Sequence, residues 1–394
     1  MTSTESSGGR VRARDLGIPF SGVPGPLNAI TDVAGVEVGQ VTLNFGAGRL
    51  EVGKGPVRTG VTAILPRGRT DPRLVFGGSF VLSGTGELTG LAYLEERGFI
   101  EGPVMITNSH SVGTVCEATV QWMLRHGWEF DATIPIVGET YDGFFSDING
   151  GHIRGEHVWQ ALDGARGGTV PEGNVGGGTG MMCYEFKGGI GTSSRRVPAE
   201  EGGYCVGVLV QANYGARSHL RIAGLPIGLT LKEDMPCYTD AKLRPPNARY
   251  AVCSEAHPKG VREGREGSII VVVATDAPLL PHQLRRLAKR PALGIGRLGG
   301  VAASWSGDIF IAFSTANADA GQSDAAAGKA TEVTLYPNRA LTPLFEAAID
   351  ATEEAIVNAL IAAETCTGRD GLRLSAVPHA RVQDILRTHN LLTI

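Results

Sequence analysis

The sequence lacks the features that mark several common protein classes. The 394 residues carry a net charge of only −4, so no strongly basic surface points to a nucleic acid. No apolar run approaches the ~18 residues that span a bilayer. The N-terminal stretch MTSTESSGGRVRARDLG has no apolar core of the kind found in secretory signals. We therefore expect a cytoplasmic protein that binds neither nucleic acid nor membrane.

Cysteine and metal-ligand motifs are also scarce. The six cysteines form no CxxC pair, and several lie in apolar runs, where cysteine usually behaves as a small buried hydrophobe. We expect buried thiols rather than disulfides. No HExxH motif occurs, and His152 and His157 alone do not form a convincing metal pair. Neither a metal nor an organic cofactor is implied.

The usual catalytic and nucleotide motifs are missing or out of context. No GxSxG elbow is present. The GxGxxG pattern of Gly294, Gly296 and Gly299 follows a predicted helix and precedes a strand, the reverse of the order in a dinucleotide site. The stretch SDAAAGKA resembles a phosphate loop but has serine and alanine at two defining positions. These absences exclude the common serine-hydrolase, metallohydrolase and nucleotide-binding signatures.

Glycine, by contrast, is abundant: 56 of the 394 residues, about twice the usual share of ~7%. The glycines separate short strand-like runs such as GVEVGQVTL and GVTAILP, which indicates tight turns and close backbone approaches. Helical apolar spacing occurs at 87–98, 110–127 and 281–290. Strands and helices mix throughout, so the pattern predicts an α/β or α+β protein with antiparallel pairing.

Two segments depart from this rhythm. Residues 173–195 are dense in glycine, and we assign the run 173–180 within them to backbone turns near the site, without a named role. Residues 232–267 are rich in proline and charge and predict a long exposed loop, a kind of segment that is often functional or disordered. Its role stays open.

The junction between Gly267 and Ser268 raises a chemical possibility. A charged, glycine-rich run ends there and the apolar run SIIVVVA begins. Serine needs a base to become a nucleophile, and one solution is its own α-amine once it is the first residue of a chain. That amine has a reference pKa near ~7.7–8.0, and a preceding glycine permits a strained peptide. The alternative is an ordinary loop that meets a strand.

Several longer motifs favour the chemical interpretation, in the order NAITDVAGVEVG (28–39), ETYDG (139–143), VLVQANYG (208–215), GSIIVVVATDAPLLPHQLRRLAKR (267–290), SGDIFIAFSTAN (306–317) and AETCTGRDG (363–371). From about Leu16 to its C-terminus the chain resembles the L-aminopeptidase D-amidase/esterase family, which includes the β-peptidyl aminopeptidases. The resemblance implies an α+β fold, the αββα sandwich of N-terminal nucleophile hydrolases. It implies one domain over 1–394, cut into an α chain (1–267) and a β chain (268–394), with αβ units that assemble further, plausibly as tetramers.

The resemblance also assigns site residues. Ser268 matches the nucleophile, and Ser306 and Asp308 match a second serine and its acidic partner, with Ser306 contacting the Ser268 hydroxyl or amine. Asn213 matches the oxyanion donor and Tyr141 a tyrosine that assists at the oxyanion or leaving group. A further candidate, for anchoring the substrate ammonium, is Glu139. Without the resemblance, Asn213 and the Ser-Gly-Asp stretch would be turn formers, Tyr141 a half-buried aromatic, and Glu139 a solvated carboxylate.

Together these features predict a self-processing serine aminopeptidase. It would hydrolyse short peptides, amino-acid amides or esters with a free amine through an acyl-enzyme on Ser268, with β-aminoacyl peptides among the substrates that the resemblance implies. Two alternatives stay open: an acyltransferase that uses the same acyl-enzyme, and an unprocessed, non-catalytic scaffold.

Overall fold

The computed structural model describes residues 10–128, 132–255, 267–321, 328 and 330–393. Within these ranges the strands are β1 Glu37–Phe45, β2 Val57–Leu65, β3 Val75–Gly84, β4 Phe99–Ile100, β5 Val104–Asn108, β6 Ile136–Thr140, β7 Met182–Cys183, β8 Phe186–Lys187, β9 Gly189–Arg196, β10 Cys205–Asn213, β11 Cys237–Tyr238, β12 Gly267–Thr275, β13 Ser306–Ser314, β14 Cys366–Thr367 and β15 Leu372–Leu374. The α-helices are α1 Leu91–Arg97, α2 Val112–Arg125, α3 Gly155–Asp163, α4 Ile227–Thr230, α5 Pro281–Ala288, α6 Pro291–Arg297, α7 Thr342–Ile361 and α8 His379–Thr388.

Two large sheets form the centre of the molecule. The first has the strand order β1-β2-β5-β6 and the second β4-β3-β13-β12-β10-β9. In the second sheet, β12 pairs parallel with β13 and antiparallel with β10. The continuous apolar character of 269–274 follows from this position, because a central strand covered on both faces buries every side chain.

The sheets pack face to face, with helices on their outer surfaces. Side chains such as Ile64 and Ile106 of the first sheet meet Ile270 and Ile311 of the second in one apolar cluster. The outer face of the first sheet packs against α2 and α3, and that of the second against α5, α6 and α7. The four layers are α, β, β and α, so the expected α+β sandwich is confirmed.

The segment 232–267 differs from the predicted exposed loop. Its described part, 232–255, contains β11, which pairs with β15, and its side chains Tyr250 and Val252 are buried. Cys237 and Cys253 form a disulfide, so the expectation that no disulfide is present was wrong. The sequence pattern could not show it because neither the spacing nor the apolar rhythm links these two cysteines. Residues 256–266, part of the same prediction, lie outside the described residues.

Membrane and metal features can be stated for the described ranges alone. There, no helix is long and apolar enough to cross a membrane. Nor do three or more His, Cys, Asp or Glu side chains come together as a possible metal site in that part of the chain.

Candidate active site

Ser268 lies at the start of β12, between two strands that carry other predicted site residues. It is 5% exposed and pairs with Asn213 of β10 on one side and Gly307 of β13 on the other. Its hydroxyl oxygen accepts a hydrogen bond from the backbone N–H of Gly307 at 3.3 Å. The sheet therefore places the predicted nucleophile beside the predicted oxyanion donor and beside the centre of the Ser306-Gly307-Asp308 stretch.

Gly267 is needed for a reason that the sequence did not show. The prediction invoked its conformational freedom, but its φ is not in the left-handed region. Instead, a Cβ at this position would lie 2.2 Å from the carbonyl oxygen of Asn213 and 2.6 Å from the Cα of Tyr214. Only glycine fits such an approach of backbone to backbone. The residue before Ser268 therefore lets β12 lie against the end of β10.

Asn213 is the last residue of β10 and its side-chain amide is fixed by two neighbours. Its Oδ1 accepts from the backbone N–H of Met182 at 2.8 Å, and its Nδ2 donates to the carbonyl of Tyr141 at 3.0 Å. Because these partners require opposite ends of the amide, they set its orientation. The second N–H of Nδ2 remains for a ligand, which is what an oxyanion donor needs.

Glu139 lies on β6 of the other sheet and lines the same cavity as Ser268. It is buried, and its carboxylate accepts hydrogen bonds from the backbone N–H of Glu87 at 2.9 Å and from the hydroxyl of Ser109. Burial raises the pKa of Glu139, while these two hydrogen bonds partly oppose the rise. A buried carboxylate facing a cavity attracts a cationic group, and a substrate ammonium is such a group.

Tyr141 follows β6 and lies at the mouth of the cavity. Its ring contacts that of Phe144 edge to face, with centroids 5.2 Å apart. A Cβ on Gly143 would lie 2.4 Å from the Tyr141 hydroxyl, so the glycine of ETYDG makes room for the ring. The backbone carbonyl of Tyr141 holds Asn213. Tyr141 therefore orients the predicted oxyanion donor through its backbone and shapes the cavity with its ring.

Ser306 and Asp308 lie inside β13, not in the hairpin turn of the alternative interpretation. The Ser306 hydroxyl donates to Asp308 Oδ1 at 2.6 Å. Burial raises the pKa of Asp308 to about 6, with the Ser306 hydroxyl and the backbone N–H of Ile269 opposing the rise. At neutral pH the carboxylate is therefore mostly ionised and able to accept the Ser306 proton.

Strand alternation places this Ser306–Asp308 pair on the helix-facing side of the sheet. Asp308 shares its face with Phe310, while Ser268 shares its face with Ile270, which points between the sheets. The pair thus adjoins the backbone of β12 and not the Ser268 hydroxyl. Of the two predicted contacts for Ser306, this geometry favours the Ser268 nitrogen over its oxygen.

The cavity at Ser268, here called the amine cavity, has a volume of about 330 Å³. Its described wall consists of Thr85, Ser109, Glu139, Tyr141, Phe144, Met182, Asn213, Gly267, Ser268 and Trp305. Half of these residues are apolar or aromatic, and the other half bring one carboxylate, one amide, two serine hydroxyls and one threonine hydroxyl. This composition suits a small ligand that carries one positive charge.

Five wall residues were missed by the sequence interpretation: Thr85, Ser109, Phe144, Met182 and Trp305. Ser109 bonds Glu139, Met182 orients Asn213 through its N–H, and Trp305 is 72% exposed beside Ser306. Met182 lies two residues beyond the glycine run 173–180 that we assign to turns near the site. Only the position of Trp305 next to the SGDIF motif offered a further signal.

The comparisons with known proteins decide the family. The profile of peptidase family S58 matches residues 28–374, which is most of the chain. The chain belongs to peptidase family S58. The predicted resemblance and the prediction of an enzyme are therefore confirmed.

Relatives of known name agree with this family. The chain is 52% identical to the β-peptidyl aminopeptidase BapA of Sphingosinicella microcystinivorans, over 97% of this chain and 93% of that protein. It is similar to the L-aminopeptidase D-Ala-esterase/amidase of Ochrobactrum anthropi, whose structure is described as a variant of the Ntn hydrolase fold. That match has a TM-score of 0.83 and 43% identity, over 97% and 99% of the two chains. A β-aminopeptidase from a Burkholderia species matches with a TM-score of 0.83 and 44% identity, over 96% and 99%.

The S58 chain should lose affinity for amine substrates when Glu139 is replaced by glutamine. We expect KM for an amino-acid amide to rise about 10–100-fold, because a charge-assisted hydrogen bond contributes ~1.5–3 kcal/mol. The wild-type kcat/KM should fall as the pH is lowered, since protonation removes the Glu139 charge at its raised pKa. Steady-state kinetics against pH measures both effects.

The neighbouring variant Glu87→Gln is the control for Glu139→Gln. Glu87 is exposed, and its hydrogen bonds with Glu139 are made by its backbone N–H and carbonyl. Its carboxylate acts on Glu139 only by repulsion, which raises the Glu139 pKa, so KM at neutral pH should change little. Asp308 also has a raised pKa, about 6, and both variants retain it, so a difference between their pH profiles reports Glu139. An unchanged KM in Glu139→Gln would contradict the assignment of Glu139 as the ammonium anchor.

Proposed function

We propose that this S58 chain is a self-processing serine aminopeptidase that hydrolyses amides of small substrates with a free amine. One observation carries the proposal. A single cavity joins the Glu139 carboxylate, the Ser268 hydroxyl and the Asn213 amide, which are an ammonium anchor, a nucleophile and an oxyanion donor.

The first step is the cut that turns Ser268 into a chain terminus. The Ser268 oxygen adds to the carbonyl carbon of Gly267, the C–N bond between the two residues breaks, and the nitrogen takes up the proton. Water then hydrolyses the resulting ester. The products are a carboxylate on Gly267 and a free α-amine on Ser268, which give the proposed α chain 1–267 and β chain 268–394.

The new α-amine supplies the base for the Ser268 hydroxyl, a role that we assign to none of the described side chains around it. An α-amine titrates near ~7.7–8.0, so a useful fraction is neutral at physiological pH and can accept the hydroxyl proton. The Ser306 hydroxyl already donates its proton to Asp308. Its oxygen is therefore left as an acceptor toward the Ser268 nitrogen, which positions the amine.

In turnover, the substrate ammonium binds Glu139 and its carbonyl lies between Ser268 and Asn213. The Ser268 oxygen attacks the carbonyl carbon while the amine takes the proton. The developing oxyanion receives a hydrogen bond from Nδ2 of Asn213. The leaving amine departs with a proton, and water then releases the acyl group from Ser268. Tyr141 stands beside both the oxyanion donor and the cavity mouth, where a leaving group passes.

The substrate class follows from the small amine cavity and its single carboxylate. Amino-acid amides, esters and short peptides are small enough for this cavity and carry an ammonium that the carboxylate can bind. The relatives named β-aminopeptidases support β-aminoacyl groups as part of the substrate class. An added methylene in a β-amino acid lengthens the distance between ammonium and carbonyl by about one C–C bond. Rates on alanine amide and β-alanine amide compare the two classes directly.

The proposal is tested by comparing substrates with and without a free amine. We expect purified protein to hydrolyse alanine amide or β-alanine amide with a kcat/KM at least about 100-fold above that of the N-acetylated counterpart. Leaving the buried Glu139 unpaired is expected to cost ~2–5 kcal/mol, which accounts for this ratio. Equal rates on the free and acetylated substrates would contradict an aminopeptidase.

The two alternatives make different predictions in the same assay. An acyltransferase would convert most acyl-enzyme to a new amide when an amine acceptor is added, and product analysis would show it. A scaffold would show one uncut chain and no turnover. The geometry of Asn213, whose amide is held with one N–H free, favours a working site over a scaffold.

Assembly and location are further proposals. We propose that αβ units assemble into homo-oligomers, plausibly tetramers, and the exposed apolar side chains of Val301 and Trp305 support a contact surface near the site. A cytoplasmic location stays a prediction from the sequence. The disulfide between Cys237 and Cys253 weighs against it, because such bonds are typical of oxidising compartments.

A further inference from the structure

A second cavity adjoins the amine cavity. It has a volume of about 440 Å³ and shares with it the side chains of Tyr141, Phe144, Met182 and Asn213. The rest of its described wall is Gly143, Phe145, Gly180, Tyr238, Pro245, Asn247, Ala248, Arg249, Tyr250, Arg369, Asp370, Leu372 and Leu374. Because the two cavities meet at the oxyanion donor, a substrate whose carbonyl lies at Asn213 can extend into both.

The two cavities carry opposite charge. Among the described residues, Glu139 is the carboxylate of the amine cavity, and no lysine or arginine lines it. The second cavity is lined by Arg249 and Arg369, with Asp370 as the single carboxylate of its described wall. A short peptide is a zwitterion with its ammonium at one end and its carboxylate at the other. The charges of the paired cavities are complementary to such a molecule.

Arg369 is held in place yet keeps hydrogen-bond donors for a ligand. Its Nε donates to Asp370 at 3.2 Å and its Nη1 to the carbonyl of Gly143 at 2.8 Å. Nη2 makes no hydrogen bond to any residue that the structure describes, and the side chain is 28% exposed. The carboxylate of Asp370 also accepts a hydrogen bond from the backbone N–H of Leu50 at 2.8 Å. A fixed guanidinium with free donors is suited to a carboxylate.

The opposite wall of the second cavity is also rigid. The segment between Cys237 and Cys253 is closed by the disulfide. Inside it, Arg244 donates to the carbonyls of Tyr250 at 2.8 Å and Ala248 at 3.1 Å. The hydroxyl of Tyr250 donates to Glu185 at 3.1 Å. This wall therefore keeps its shape without a ligand, as expected of a binding subsite.

We propose that the second cavity binds the leaving group of the substrate, and that Arg369 recognises the free carboxylate at its end. The proposal rests on the proposed function, because Glu139 fixes the ammonium in the first cavity and so directs the leaving group toward the second. It narrows the substrate class to short peptides with both termini free. It also gives a role to the motif AETCTGRDG, which contains Arg369 and Asp370.

The first test uses the wild-type protein alone. The dipeptides alanyl-alanine and β-alanyl-alanine are compared with the same dipeptides amidated at the C-terminus. We expect kcat/KM for the free acid to exceed that for the amide by about tenfold for the aminoacyl group that the enzyme prefers. A ratio of one or below would overturn the proposal, and this result needs no variant to fold.

The second test replaces Arg369 with glutamine. The free-acid to amide ratio should fall about tenfold, mainly because KM for the free acid rises. Arg369→Lys should recover part of the ratio because it keeps the charge. Arg373→Gln is the matched control because it removes the same charge. Arg373 is exposed on β15 and lies outside the described wall of the cavity. Its ratio should equal that of the wild type.

The outcomes separate this proposal from the proposed function. An equal loss on both dipeptides in Arg369→Gln would assign Arg369 only to holding Gly143 in place and would overturn carboxylate recognition. Turnover of alanine amide or β-alanine amide without any preference for a free carboxylate would do the same. No turnover of either simple amide would count against the aminopeptidase itself.

Discussion

Replacing Ser268 with alanine is expected to leave one uncut chain and to abolish amide hydrolysis. Intact-mass spectrometry of the wild type should show two chains divided between Gly267 and Ser268. The variant should show the single 41.3 kDa chain. Without the hydroxyl there is no attack on the Gly267 carbonyl, and without the cut there is no α-amine to act as base. One substitution therefore removes both nucleophile and base, and kcat should fall by at least about 10⁴-fold.

A serine in a similar position provides the control for this variant. Ser83 lies on β3 opposite Asp308 and is half-buried. Among the described residues, its hydroxyl donates a hydrogen bond to the carbonyl of Ala303 alone, at 3.4 Å. Ser83→Ala should be cut and active like the wild type. Thermal unfolding of both variants shows whether either loses structure.

Two results would contradict the Ser268 mechanism. Two chains in Ser268→Ala would assign the cut to another protease and remove self-processing. A single chain in the wild type, with amide hydrolysis intact, would remove the α-amine as the base. The first result is read from a mass spectrum alone, and the second needs in addition a rate on one amide that the wild type hydrolyses.

The sequence predicted the strands that carry the proposed catalytic residues because burial on both faces leaves a clear apolar run. β12 and β13 are such strands, and their parallel pairing sets Ser268 beside Gly307. The local pattern was less accurate at the ends of these strands. Asn213 is the last residue of β10, and Asp308 lies within β13, although both residues would be turn formers by their sequence alone. Polar residues inside a strand resemble turn residues in sequence, so the local pattern could not assign either of them to its strand.

Features that depend on distant backbone approaches could not be read from the sequence. The need for glycine at 267 comes from the backbone of Asn213 and Tyr214, more than 50 residues away in the chain. The second cavity joins segments near Gly143, Tyr250 and Arg369, which no local pattern relates. The disulfide belongs to the same group, since it depends on the fold of the segment between its cysteines.

The second large effect is expected at Asn213. Asn213→Asp keeps the acceptor for the Met182 N–H but removes the donor that faces the carbonyl, and it sets a negative charge where the oxyanion develops. We expect kcat to fall about 10²–10³-fold, because loss of one oxyanion donor costs ~2.7–4 kcal/mol. In Asn213→Ala, kcat should fall as far, and the unpaired Met182 N–H should in addition lower the stability of the protein.

The control for Asn213 lies on the same strand and face. Gln211 is fully buried, and its Nε2 donates to the carbonyl of Thr107 at 3.0 Å and to the Thr140 hydroxyl at 2.8 Å. Gln211→Leu should lower the melting temperature while changing kcat by less than about threefold. The Asn213 donor would assist self-cleavage as well as amide hydrolysis. Single-turnover rates on protein that is already processed measure the hydrolysis alone. If both variants lowered kcat equally, Asn213 would only support the strand. The oxyanion would then need another donor, and the backbone N–H of Gly307, 3.3 Å from the Ser268 hydroxyl oxygen, would be a candidate.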